Sequence, residues 1–230
     1  TGTFSLRGGG SSTNALNVPA ASATLLFAAG VFNLNAGTTV TGPGTVLLNS
    51  SGTLNVNAPV VFPATTTFTF LAGTLGGTGA VTTNGTFNWS GGTMTGAGIT
   101  TVNGPFNLSG LVGINGSRTL NTFANTSWTS GSGDGMWPGT GSVINNGGIW
   151  DVPVDGGAIV NHYGGATTFN NSGTLKKSAG MGDVDFDPGC ILLHPGDGDF
   201  HEFQIREQHA VTGFEWDGVG GQGAGEADQI

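Results

Sequence analysis

Three carboxylates stand at alternate positions in Asp183-Val184-Asp185-Phe186-Asp187-Pro188-Gly189, which is the opening spacing of a calcium loop. Calcium is the ion such a site would take, because carboxylate oxygens suit a hard dication. The match is incomplete: Pro188 occupies the position where an EF-type loop needs Gly, and His194 stands where its bidentate Glu should be. Asp197 and Asp199 lie close enough along the chain to join the same shell. The same alternation also describes a plain strand with its Asp side chains in water and Val184 and Phe186 turned inward. Both readings fit the residues.

His194, His201, Glu202 and His209 supply the imidazoles and a carboxylate that a transition-metal centre would need. His201-Glu202 followed by His209 lacks the His-Glu-x-x-His spacing, so the helix-borne metalloprotease pattern is absent. Dispersed surface histidines explain the same residues. If hydrolytic chemistry resides here, Glu202 is the candidate general base, with His201 beside it. Asp151 and Asp155 form a second candidate pair, in the roles of the two carboxylates that cleave a glycosidic bond. For sugar rings the candidates are aromatic: Trp137, in the turn-like Gly135-Met136-Trp137-Pro138-Gly139, and Tyr163. Trp89 and Trp150 fall at inward alternating positions and read as core. Thr39/Thr41 and Thr93/Thr95 hint at a Thr-x-Thr row for ice, but the motif does not persist.

Charge divides the chain into two parts. Residues 1–180 hold three acids and four bases, net +1, whereas 181–230 hold eleven acids and one base, net −10, which together give −9. No basic patch exists to neutralise phosphates, which argues against nucleic acid and against anionic membrane surfaces. No apolar run of about 18 residues is present to span a bilayer as a helix. Cys190 is the one cysteine, which excludes an internal disulfide framework and a cysteine-built zinc site. The chain starts at Thr1 without Met or a leader, as a mature product or excised fragment would.

The elements that must position these residues are short strands. Gly opens an alternating phrase at Gly30-Val31-Phe32-Asn33-Leu34, Gly52-Thr53-Leu54-Asn55-Val56, Gly73-Thr74-Leu75, Gly85-Thr86-Phe87-Asn88-Trp89, Gly104-Pro105-Phe106-Asn107-Leu108, Gly148-Ile149-Trp150 and Gly173-Thr174-Leu175. Most of the phrases recur at a period of about 20 residues, which is in the range of a solenoid coil. The step of 44 from Gly104 to Gly148 implies a degraded copy near Ala124 to Trp128. The step of 12 from Gly73 to Gly85 implies more than one strand per coil. With 45 Gly and only 8% charged residues the chain would suit disorder, were Val, Leu, Ile, Phe and Trp not in phase. The expected fold is all-β: a single-stranded, right-handed parallel β-helix, or β-solenoid, over 1–180 with about 20–22 residues per coil. About eight such coils make a rod of about 40 Å. Residues 181–230 break the phrase and are expected to form an irregular acidic C-terminal cap or tail.

Gly173-Thr174-Leu175-Lys176-Lys177-Ser178-Ala179-Gly180 resembles the autotransporter-associated β-strand repeat, and Gly52-Thr53-Leu54-Asn55-Val56 is similar to repeats of adhesin-like bacterial β-solenoid proteins. The resemblance covers about 30–180. It implies extracellular or cell-surface residence and a structural or adhesive, non-catalytic role, with a polysaccharide or cell-surface glycan as partner. Such repeats carry no catalytic motif, so no functional residue transfers. A carbohydrate-active or metal-dependent hydrolase with its site near the acidic tail, and a carbohydrate-binding module, are the alternatives.

Overall fold

The computed structural model describes residues 2–130, 134–139 and 141–186, and the backbone of 190–193. Asp187, His194, Asp197, Asp199, His201, Glu202 and His209 lie outside the described residues. The described chain is all-β and contains no helix. Three parallel sheets run along it: a first of nine strands from Gly2–Leu6 to Thr174–Lys176, and a second of nine from Gly10–Ser12 to Asp185–Phe186. The third has seven strands from Val60–Phe62 to Cys190–Leu193, preceded by a two-stranded sheet of Ala15–Asn17 and Thr39–Thr41. Successive strands of the chain go to successive sheets. Each circuit of three is therefore one coil, and the molecule is a β-solenoid of about eight turns.

Alternation explains why these segments are strands. Phe4, Leu25, Val46, Phe68, Phe87, Phe106, Thr126, Trp150 and Leu175 pair in one inward column of the first sheet. The missing copy is the strand Thr126–Trp128, in register between Phe106–Leu108 and Ile149–Asp151. Inside, Phe62, Phe68, Phe87 and Phe106 stack nearly face to face at 4.6, 5.1 and 5.1 Å between neighbours. Outside, amides form ladders: Asn107 Nδ2 donates to Asn88 Oδ1 at 2.8 Å, Asn145 to Asn121 at 2.7 Å, and Asn170 to Asn145 at 2.6 Å. These rungs measure the coil directly. Asn88 and Asn107 are 19 apart in sequence, Asn121 and Asn145 are 24 apart, and Asn145 and Asn170 are 25 apart. Inward apolar stacking and outward amide pairing repeat with the coil, so one short phrase serves every turn.

The Gly that opens the phrase has two physical roles. At Gly73 φ is +92°, a left-handed corner that a side chain would strain. At Gly85 the need is space: a Cβ there would fall on the carbonyl oxygen of Thr66 in the coil below. The phrases at Gly30, Gly52 and Gly73 begin strands of the second sheet, and those at Gly85, Gly104, Gly148 and Gly173 begin strands of the first. The sequence step of 12 is the jump between the two.

The change of phrase after Gly180 is not where the ladders stop. Asp185–Phe186 pairs with Ala158–Ile159, and Cys190–Leu193 pairs with Thr167–Asn171. Val184 and Phe186 are buried, while Asp183 and Asp185 are exposed. At the opposite end Phe4, an inward residue by register, is 67% exposed, in the end strand of the first sheet among the described residues. It helps line an open cleft of about 460 Å³ with Leu16 and Leu25.

Candidate functional site

The last coils are longer than the middle ones. One turn of the amide ladder takes 24 and then 25 positions from Asn121 through Asn145 to Asn170, against 19 from Asn88 to Asn107. The surplus forms corner loops, and Asp155, His162 and Tyr163 sit there. Residues 2–130 contain only Arg7 and Arg118 as charged groups. From Asp134 onward come Asp151, Asp155, His162, Tyr163, Lys176 and Lys177.

Asp151, at the end of Ile149–Asp151, faces its register partner Lys176 one coil later, Nζ to Oδ2 at 3.3 Å. Asp155, in the loop that follows, receives Lys177 Nζ at 2.7 Å and the Met181 amide at 2.9 Å. Lys177 also donates to the Ala179 carbonyl at 2.6 Å, and its side chain is only 7% exposed. The lysine hydrogen bond, helped by the amides of Met181 and Gly182, holds the Asp155 carboxyl down at about 2. A general acid at a glycosidic bond needs the reverse, a carboxyl raised toward neutrality by burial. Each of the two carboxylates is instead committed to its own lysine, and the lysine-bearing Gly173 phrase acts as a clasp on the loop below.

The clasp has a pH signature. A carboxyl depressed in the folded state stabilises fully above its unfolded value, and that contribution is lost as pH falls through the folded one. The melting temperature is expected to decline from the ordinary aspartate range down to about 2, with Asp155→Asn flattening that part of the profile. Profiles of wild type and D155N that run parallel across this window would contradict it. Exposure of the Asp155 side chain to solvent keeps the amplitude modest.

Trp137 and Tyr163 are brought together by His162, which sequence reasoning did not single out. Trp137 points outward from Gly135–Pro138, and the His162 imidazole lies flat on its indole, centroids 3.8 Å apart and planes 15° apart. Tyr163 meets His162 edge-on at 5.1 Å and 84°. Its hydroxyl reaches back to Thr93 Oγ1 at 3.4 Å, crossing the outer face of the second sheet above Gly113. In that sheet Thr93, Gly113 and Trp137 are consecutive register partners. A Cβ at Gly113 would come within 2.9 Å of the tyrosine oxygen, so a strand glycine makes room for the phenol. The loop is pinned by Asn161 Nδ2 donating to the Gly165 carbonyl at 2.7 Å. Gly113 inside an alternating strand was the sequence signal for a close approach here; nothing in the sequence said by what.

No family model, curated protein or solved structure matches the chain. The site must be read from its own geometry. Among the described residues no three His, Cys, Asp or Glu side chains converge as metal ligands. Asp183 and Asp185 stand toward solvent on either side of buried Val184. Trp89, Trp128 and Trp150 are fully buried, which leaves Trp137 as the described indole on the outer surface.

Proposed function

We propose that this chain is a structural and adhesive segment of a secreted or cell-surface bacterial protein: a non-catalytic solenoid rod that presents a contact surface. The observation that carries the reading is the pairing of Asp151 with Lys176 and of Asp155 with Lys177, on a rod whose earlier coils are almost uncharged. A glycosidase requires one carboxyl held protonated and a second left free, and neither aspartate meets that need. The resemblance of the Gly-Thr-Leu phrases to bacterial surface repeats supports the same setting, and a glycan is the proposed partner.

Two measurements on the full chain test this. A glycan array containing neutral and acidic structures is expected to show retention on at least one class, and the retained glycan incubated with the protein is expected to release no new reducing ends. Turnover that disappears in Asp151→Asn or Asp155→Asn would overturn the non-catalytic reading. Failure to bind any glycan on the array would remove the adhesive one.

A further inference from the structure

Resting on that adhesive reading, we propose that Trp137, His162 and Tyr163, with Thr93 and Gly113 as floor, form the binding site and that its ligand is an uncharged saccharide. A sugar ring offers an apolar C–H face bordered by hydroxyls, and proteins meet it with an aromatic surface and a few neutral hydrogen-bonding groups. The cluster supplies both. The indole and imidazole form one continuous stacked pair, the phenol ring stands nearly perpendicular beside it, and Tyr163 is 37% exposed. The polar groups of the cluster are the hydroxyls of Tyr163 and Thr93, 3.4 Å apart, and the imidazole of His162 beside the phenol. Among the described residues the lysines that could attract an anionic ligand, Lys176 and Lys177, are occupied by Asp151 and Asp155, whereas Asp134, Asp183 and Asp185 stand exposed. An anionic polysaccharide therefore gains nothing from this surface that a neutral one lacks.

The geometry has a specific cause. Thr93, Gly113 and Trp137 occupy one outward column, so they recur at the coil spacing of about 4.8 Å. The missing side chain at Gly113 leaves a gap between Thr93 and Trp137, and Tyr163 lies across it. Thr93, the phenol and the indole thus follow one another along the rod. An extended chain of sugars running along the rod would meet a hydroxyl, a phenol and the imidazole-covered indole in turn. The platform is open rather than enclosed, so the expected affinity is weak, with Kd of about 0.1–1 mM.

The experiment is isothermal titration of the full chain with neutral gluco-, manno- and xylo-oligosaccharides, and with an oligogalacturonide of matched length. At least one neutral probe is expected to bind and the oligogalacturonide to bind no better. Trp137→Ala and Tyr163→Ala are each expected to weaken binding by about tenfold or more. Gly113→Val, which displaces the phenol without altering any of the three rings, should do the same, while Phe123→Ala, on another corner, should not. Melting temperatures of all variants separate this from loop pinning: a purely structural cluster would lower the melting temperature in W137A and leave affinity untouched. Affinity unchanged in W137A and Y163A, or selectivity for the charged probe, overturns the site yet leaves adhesion standing. Binding to no probe here, with retention on the glycan array, overturns the saccharide class alone.

Discussion

Replacing Trp150 with Ala is expected to destabilise the rod by about 3–5 kcal/mol, read as a shift of the urea midpoint. Trp150 is fully buried, with Phe169 at 5.2 Å, Trp128 at 6.2 Å and Phe106 at 6.4 Å, all edge to face. Phe106 is two coils away, and the residue between them in the column is Thr126. A small side chain at that level leaves space that the indole fills, so one tryptophan closes two coils of core. Truncation leaves a cavity that cannot collapse, because the parallel ladders fix the coil spacing at about 4.8 Å. Trp150→Phe should recover more than half of the loss, and Thr126→Val, which fills no cavity, should change the midpoint little. Since coils couple only to their neighbours, the transition in W150A should split, with the coils after Phe106 unfolding first. A W150A midpoint within about 0.5 kcal/mol of wild type would show that the site relaxes and that this account of the core is mistaken.

How much of this the sequence displayed depended on whether a property repeats. The inward column from Leu25 to Trp150 is local and periodic. Alternation and a period of about 20 residues were therefore enough to anticipate strands, coils and the buried Trp89 and Trp150. The assignment of strands to sheets was not legible, because Gly-Thr-aliphatic opens strands in two different sheets: the corner before each needs a glycine, for a left-handed turn at Gly73 and for clearance at Gly85. The aromatic cluster was half legible. Trp137 and Tyr163 could be chosen as surface aromatics, but their meeting depends on the loop after Ile159 folding back over a strand 70 positions earlier. Asp151 and Asp155 looked like a carboxylate pair by spacing. Only the register, which sets Lys176 beside Asp151, reveals that the relevant neighbours lie one coil later.

Coil length is what separates the tight, nearly uncharged part of the rod from the part whose corner loops carry polar and aromatic side chains. A coil with a step of 19, such as that from Asn88 to Asn107, turns from sheet to sheet with just enough chain for its corners. Its corners are correspondingly tight, and the Gly85 carbonyl lies directly against Gly104 of the next coil. The coils with steps of 24 and 25 carry surplus at the corners, and the surplus is where Asp155, His162 and Tyr163 reside. A solenoid can lengthen a corner without disturbing its ladders, since the loop projects outward and strand register is preserved on both sides.

Arg118 provides the second large effect, expected at about 3–5 kcal/mol for Arg118→Ala. Its side chain is fully buried and reaches back two coils: Nη1 donates to the Thr95 carbonyl at 2.9 Å and the Gly77 carbonyl at 3.5 Å, and Nη2 to Thr100 Oγ1 at 2.9 Å. No carboxylate lies within ion-pair distance of it among the described residues, whose ion pairs are those of Lys176 and Lys177. Oxygen dipoles from two earlier coils therefore carry the whole burden of solvating the cation. Alanine would orphan those oxygens and leave a cavity. Lysine, lacking the planar fork, should restore only part of the loss. Methionine fills the volume and removes the buried charge, and should cost less than alanine. Burial pushes the guanidinium down to about 10. Between about 10 and the ordinary guanidinium value the unfolded chain holds the proton more firmly than the folded one, so stability relative to Arg118→Met should rise with pH across that window. A flat difference between the two proteins from neutrality upward would mean that the carbonyls compensate the burial in full. An Arg118→Ala protein as stable as wild type would mean that the arginine is no staple at all.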